Sequence, residues 1–510
     1  MRAHGFAISC FKSKRKVTDM ITNDKNINFL KHEVLLKICE AAWEGEITND
    51  VRERIVNEIS PGPKPEYRCC VYKEREIVRG RIRLAMGENA NVNNSTKNVV
   101  QVIEPACDEC PIASYTVTDN CRFCLGRPCI SSCNFKAISP GDVRMHINSK
   151  VCKECGKCAD ACPFGAIVHL ERPCKKACPA NAISYDEYGF CEIDEEKCIH
   201  CGQCVHNCPF GAISTKIALV PIIRAIQAGK EVIAMCAPAT EGQFGAGIGM
   251  TSIKAALKKI GFADMVEVGL GGDMTAAYEA KEWIEAKKEG KKMTTSCCPA
   301  FISMIRHQFP KVYENNKSST VSPMVAVSRY LKLTHPGCIT VFIGPCIAKK
   351  GECLNEFIAD RPDYAVTFGE ISDLLESRGI AFEPVEEDYQ ESSTWGKKFA
   401  TSGGVAKAVI EVMEEMGEDT SGIKLLSCAG GAECKKALTL LNVGRLQEDF
   451  VEGMMCPGGC LGGPSKLMAE RDITKARAGL LAKADGRRIL ENLEKYPMDK
   501  FSMYRDGHME

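Results

Sequence analysis

The chain has 510 residues, enough for two or three domains and a sizeable core. Lysine plus arginine and aspartate plus glutamate both number 66, so no charge excess points to nucleic acid or an anionic membrane. The opening MRAHGFAISCFKSKRKV has only a short apolar patch, which excludes a secretory signal, and no run approaches the roughly 20 apolar residues of a spanning helix. A cytoplasmic protein is expected. In such a chain, 31 cysteines argue for metal rather than disulfides.

Residues 1–100 predict a helical N-terminal segment. NFLKHEVLLKICEAAWEG and NDVRERIVNEI carry helical apolar spacing, and PGPKP at 61–65 interrupts them. Cys69 and Cys70 have no partner motif and are read as structural. Residues 101–215 form a repeat array: CKECGKCADACPFGAI (152–167) and CIHCGQCVHNCPFGAI (198–213) are near copies, RPCKKACPANAI (172–183) is a truncated one, and CRFCLGRPCISSCNFKAI (121–138) a variant. From 216 to 510, short apolar runs alternate with helical stretches: EVIAMCA, VEVGL, CITVFIG, DYAVTF, IKLLSC and DFVEGMMC, with helices at 274–288 and 403–416. That alternation predicts an α/β domain of largely parallel sheets flanked by helices.

The two full repeats fit C-x2-C-x2-C-x3-C-P, in which three thiolates on one loop reach three irons of a cubane and the fourth serves the other cluster of the pair. They are Cys152, Cys155, Cys158, Cys162 and Cys198, Cys201, Cys204, Cys208. Zinc sites seldom use four cysteines in such a run. Cys121, Cys124, Cys129 and Cys133 form a variant half, Cys174 and Cys178 supply the last two positions of another, and Cys107 and Cys110 the first two. These sixteen thiols suffice for four [4Fe–4S] clusters and leave only Cys191 over. Crossed ligation pairs Cys121, Cys124 and Cys129 with Cys162, and Cys133 with Cys152, Cys155 and Cys158. It pairs Cys178 with Cys198, Cys201 and Cys204, and Cys208 with Cys107, Cys110 and Cys174. The simpler alternative is two clusters, with Cys162 crossing to the 198–204 loop and Cys208 to the 152–158 loop.

Three further motifs, TSCCPAF (295–301), GPCIAKK (344–350) and EGMMCPGGCLGGP (452–464), each set cysteine beside Pro or Gly at the end of a predicted strand, where ligands gather in α/β sheets. Together they resemble the three signature segments of the [FeFe] (iron-only) hydrogenases, over about 216–485. The ferredoxin-type repeats precede them in that family's order. The resemblance implies ferredoxin-like α+β iron–sulfur repeats ahead of an α/β catalytic domain. Cys298, Cys346, Cys456 and Cys460 would hold the [4Fe–4S] part of an H-cluster, Cys460 bridging to a two-iron centre with CO, CN and a bridging dithiolate. Cys297 would be the thiol that passes protons to it, Lys349 the hydrogen-bond partner of a cyanide, and Met454, Ala237 and Pro238 walls of the pocket. DMTAAYEAKE (273–282) resembles the segment whose glutamates, here Glu279 and Glu282, continue the proton path, joined by Ser318.

Ala300-Phe301 stands where well-studied members have Gly-Trp, Gly344 replaces a methionine, and the last motif lacks a longer Gly-Gln run; these departures resemble the group B branch. The implied activity is an oxidoreductase interconverting protons and H2, with a ferredoxin-like electron carrier and maturation proteins as partners. A low-turnover H2 sensor and a non-catalytic hydrogenase-like iron–sulfur assembly protein are the alternatives.

Overall fold

The computed structural model describes residues 25–92, 95–107, 110, 115–385 and 390–505. Part of the expected N-terminal segment, residues 1–24, 93 and 94, lies outside them. Among the described residues, no helix is long and apolar enough to cross a membrane.

The helix Lys25–Glu44 buries Val34, Leu35, Ile38, Cys39, Ala41 and Ala42, a stripe at helical spacing. That stripe does not close a core of its own. It merges with Leu219, Ile222 and Ile223 of the helix Leu219–Gln227 and with Phe368, Ile371 and Leu374 of the helix Phe368–Glu376. Polar contacts fix the same seam, with His32 Nδ1 2.7 Å from Asp373 Oδ1 and Trp43 Nε1 donating to Ser377 Oγ at 3.2 Å. The second helix, Asn49–Ile59, starts where Thr48 accepts from the Val51 N–H. Cys70 is the cap of a third, Val71–Ala85, while Cys69 is exposed and so does not serve the core that a structural reading assigned it.

The repeat array folds as short antiparallel hairpins and single-turn helices. Strand Tyr115–Val117 pairs with Ile167–His169, and Ile138–Pro140 with Met145–Ile147. Val100–Val102 pairs with Ile213–Thr215, and Ile183–Tyr185 with Cys191–Ile193. The first two pairings frame the segment from Cys121 to Cys162 and the last two the segment from Cys174 to Cys208, in keeping with the ferredoxin-like α+β expectation.

Beyond residue 216 lie two parallel sheets. The first has the order Asp264–Glu267, Val232–Cys236, Ile339–Ile343, Tyr364–Val366, and the second Met293–Thr294, Phe450–Met454, Leu425–Ala429. Strand Val232–Cys236 is buried along its whole length, as expected of a parallel strand covered on both faces. One expected strand is shifted. VEVGL was read as extended, but the strand ends at Glu267 and the helix Val268–Lys288 begins at the next residue. Its glycines disguise it: a Cβ on Gly271 would lie 2.1 Å from Pro323 O, and one on Gly269 2.5 Å from Ser392 Oγ. Close packing thus outweighs the roughly 1 kcal/mol that glycine costs a helix.

Candidate active site

Four strands of the two sheets end toward one point, and the segments following them carry the motif cysteines. Ala237 and Pro238 follow Val232–Cys236, Cys346 follows Ile339–Ile343, Cys297 and Cys298 follow Met293–Thr294, and Cys456 follows Phe450–Met454. They enclose a cavity of about 90 Å³ lined by Cys297, Cys298, Cys346, Cys456, Cys460, Lys349, Met454, Ala237 and Pro238. Every residue that the resemblance assigned to this pocket is on its wall. Phe342, Met324 and Phe399, which carried no motif signal, are among the other residues that line it.

The thiols act on one another. Burial, then Cys298, pushes Cys346 up to about 11; burial, then Cys298 and Cys346, pushes Cys460 up to about 12. Cys456 rises well above an ordinary thiol for the same reasons. As thiolates, Cys298, Cys346, Cys456 and Cys460 would repel one another, and a cationic iron–sulfur core would relieve that, since a coordinated thiol is held deprotonated. Among the described residues, no three His, Cys, Asp or Glu side chains draw together closely enough for a single ion. The thiols instead ring a cavity, the spacing that a multinuclear group bridges.

Lys349 is buried at the cavity's edge. Its Nζ lies 2.8 Å from Glu352 Oε2 and 3.5 Å from Cys297 O. Burial lowers its pKa, but Glu352 outweighs this and leaves it raised, so the ammonium is secure. Ser322 Oγ donates to the same carboxylate at 3.0 Å. Glu352 had no sequence signal beyond lying three residues after Lys349 on one helical face.

From Cys297 a polar chain runs outward. Glu279 is fully buried on the helix Val268–Lys288; its Oε1 accepts from the Ser296 N–H at 2.8 Å and lies 2.9 Å from Ser296 Oγ. Its Oε2 is buried with no hydrogen-bond partner among the described residues. Ser296 Oγ is 3.3 Å from Ser318 Oγ, which donates to Glu282 Oε2 at 2.6 Å. Glu282 is only partly buried, so the chain reaches toward solvent. Burial raises the Glu279 carboxyl to about 7, and burial with Glu279 raises the Cys297 thiol well above its ordinary value. Ser296, the link between the two glutamates, was missed because it lies inside a cysteine motif and in no helical register with them.

The departures from the family pattern fit one another. A Cβ on Gly344 would lie 2.7 Å from the Phe342 ring and 3.1 Å from Ala237 Cβ, so the aromatic ring fills the space a longer side chain there would need. A Cβ on Gly453 would lie 2.2 Å from Phe301 Cζ, so Phe301 packs flat on that glycine.

In the repeat region, Cys129 lies in the field of Cys124 and Cys162, and Cys158 in that of Cys152 and Cys133. Cys204 feels Cys201, Cys198 and Cys178, and Cys107 feels Cys208 and Cys110. Cys121 and Cys133 pack in the same cluster of side chains as Cys129 and Cys158, while Cys174 and Cys208 pack with Cys107. Cys155 is exposed. Cys191, given no role, donates its N–H to Cys107 Sγ at 3.4 Å, and its thiol bonds Cys174, which brings Cys174 down to about 7. Cys456 in turn feels Cys201. A Cβ on Gly202 would lie 2.5 Å from Ile347 Cδ1, so the 198–204 loop is pressed against the residue following Cys346.

Residues 230–464 match the family model of the iron-only hydrogenase large subunit, C-terminal domain. Over those residues the chain is iron-only [FeFe] hydrogenase-like. Ferredoxin-type domains precede that region: 145–168 match a 4Fe-4S binding domain and 168–218 the LdpA Fe-S cluster-binding domain. Iron hydrogenase 1 of Clostridium pasteurianum is 25% identical over 470 residues, covering 78% of this chain and 79% of its own. An NADP-reducing hydrogenase subunit of Solidesulfovibrio fructosivorans is 27% identical over 454 residues, covering 74% and 69%. A solved [FeFe]-hydrogenase of Chlamydomonas reinhardtii aligns at 21% identity with a TM-score of 0.45, covering 55% of this chain and 91% of that one.

Proposed function

We propose that this hydrogenase-like protein interconverts protons and H2, exchanging electrons with a ferredoxin-like carrier through iron–sulfur clusters. The observation that carries the reading is the convergence of five cysteines and Lys349 on one cavity with a hydrogen-bonded acid chain behind it.

In this reading Cys298, Cys346, Cys456 and Cys460 hold the cubane of an H-cluster, with Lys349, Met454, Ala237 and Pro238 around its two-iron part. When bound, that group supplies the making and breaking of the H–H bond. The chain's own residues manage protons. Burial keeps Cys297 protonated at Sγ, and the charge of Glu279 raises it further, so protonating Glu279 makes the thiol a better acid. The unpartnered Oε2 of Glu279 is the atom that would take the proton from Cys297. Ser296 and Ser318 then hand it to Glu282 by rotation of their hydroxyls. Lys349, fixed by Glu352, offers a localised positive charge to an anionic diatomic ligand.

We further propose four cubanes in 101–215, with the crossed pairing given by the spacing. The neighbouring thiols Cys129 with Cys162 and Cys158 with Cys133 support it. The field of Cys201 on Cys456 supports electron entry to the cavity from the 198–204 loop. The activity is tested by H2 evolution from a reduced low-potential dye and by hydrogen–deuterium exchange of the matured protein. Neither reaction at any pH from mildly acidic to mildly basic would remove the enzymatic reading.

A further inference from the structure

One group of thiols has buried cations around it. Arg81, on the helix Val71–Ala85, is 5% exposed, and its Nη2 donates to Gly211 O at 3.0 Å. Gly211 N–H donates to Cys208 O at 3.1 Å, so the guanidinium sits on the turn that Cys208 opens. Its Nε and Nη1 are buried without hydrogen-bond partners among the described residues, as is Nζ of Lys31 on the helix Lys25–Glu44. Burial brings Lys31 down to about 7 and Arg81 down to about 10, and Cys208 is the thiol whose field opposes this in both. On the opposite side Arg172, 6% exposed, donates to Gly189 O at 2.6 Å and lies 4.0 Å over the Tyr185 ring, where its charge reaches Cys107 and Cys174.

A buried cation with unmet hydrogen bonds costs several kcal/mol unless an anion compensates it. A cubane with four thiolates is such an anion, and it gains one more negative charge on reduction. Among the described residues, the site of Cys129 has a weaker counterpart: Arg127 is half-buried, its Nε has no hydrogen-bond partner and its guanidinium lies 5.4 Å over the Phe123 ring, a single cation where the Cys208 group has three. The fields on Cys198, Cys201 and Cys204 come chiefly from other thiols and Glu195, and the neighbouring His200 is held neutral by burial. Near Cys155 and Cys158, Lys153 and Lys157 are exposed, where water and salt screen them.

We propose that Arg81, with Arg172 and Lys31, makes the cluster of Cys107, Cys110, Cys174 and Cys208 the most positive in potential of the four, so that the helical N-terminal segment tunes one relay. The inference rests on the four-cluster reading. Positive charge favours the reduced, more anionic cluster and so raises its potential, a lever distinct from ligation. The cluster would act as the resting store of electrons between the carrier and the catalytic cavity.

The test uses full-length, cluster-loaded protein, with iron content measured first and reductive titration followed by electron paramagnetic resonance. In Arg81→Met the highest midpoint should move in the negative direction while the others stay, with Lys31→Met moving it the same way and Arg81→Lys largely restoring it. Unchanged midpoints in Arg81→Met at full iron content overturn the inference. So does loss of iron in Arg81→Met together with unmoved midpoints in Lys31→Met, or an equal shift of every cluster. Wild-type protein with only about eight irons in this region, instead of about sixteen, overturns the four-cluster reading itself.

Discussion

Glu279→Gln separates the proton-relay role of Glu279 from its structural one. The carboxyl is fully buried, and burial raises it to about 7 from the 4.5 of an ordinary glutamate. Between those values the folded chain keeps a proton there that the unfolded chain has released, so folding stability falls as pH rises through the window. At roughly 1.4 kcal/mol per pH unit, the fall amounts to about 3 kcal/mol. Below pH 4.5 both states are protonated and nothing is lost. Glutamine keeps the shape, and its amide oxygen still accepts the Ser296 N–H, but it carries no titratable proton. Anaerobic denaturation of wild type and variant at about pH 5 and about pH 8 should therefore show wild type losing about 2.5 kcal/mol relative to the variant, most of the full window. Turnover of the variant should drop by ~10²–10⁴-fold, the usual contribution of a positioned acid–base group. A stability gap identical at both pH values refutes the burial argument. Wild-type turnover in the variant refutes the relay.

Cys297→Ala should keep full iron content and the spectroscopic signature of the bound cofactor while losing nearly all turnover; loss of the cofactor as well would make Cys297 structural. Ser318→Ala removes the hydroxyl 2.6 Å from Glu282, and Glu282→Gln removes the outer acid, so both should slow turnover less severely than Glu279→Gln. An unaffected rate in both would mean protons enter elsewhere. Lys397 Nζ lies 2.8 Å from Glu241 and 3.0 Å from Glu267, all buried. Lys397→Met removes the cation the two carboxylates share, leaving Glu241 to Arg477 Nε at 3.4 Å and Glu267 to its hydrogen bonds from Ser392, and should destabilise the chain by about 3–5 kcal/mol in chemical denaturation, a smaller loss than about 1 kcal/mol contradicting the account.

Much of the site could be read from the chain because cysteine spacing is a local property: three thiols on one loop must face one cluster, wherever the loop lies. The same holds for Cys297, Cys298, Cys346, Cys456 and Cys460, each tied to a strand end. What escaped reading depends on contacts between distant segments. Ser296 and Glu352 gain meaning only when the two sheets bring residues 279, 318 and 349 together. Phe342 and Gly344 are two residues apart, yet the reason for the glycine is the ring's position in the folded pocket. The amphipathic stripe of Lys25–Glu44 announced a helix but not the surface it covers, because periodicity records which face is buried and not against what. Cys191 likewise fits no spacing rule, and only the hairpin Ile183–Tyr185 with Cys191–Ile193 carries it to Cys107 and Cys174.

The central claim is that the cavity among Cys298, Cys346, Cys456, Cys460 and Lys349 is built for a two-iron group with diatomic ligands. An infrared spectrum of the protein after maturation with that cofactor addresses it directly, because bound CO and CN⁻ absorb where polypeptide does not. The account predicts sharp bands of both ligands, with the CN⁻ bands displaced in Lys349→Met. A matured protein that carries its iron–sulfur clusters but shows neither ligand would contradict it.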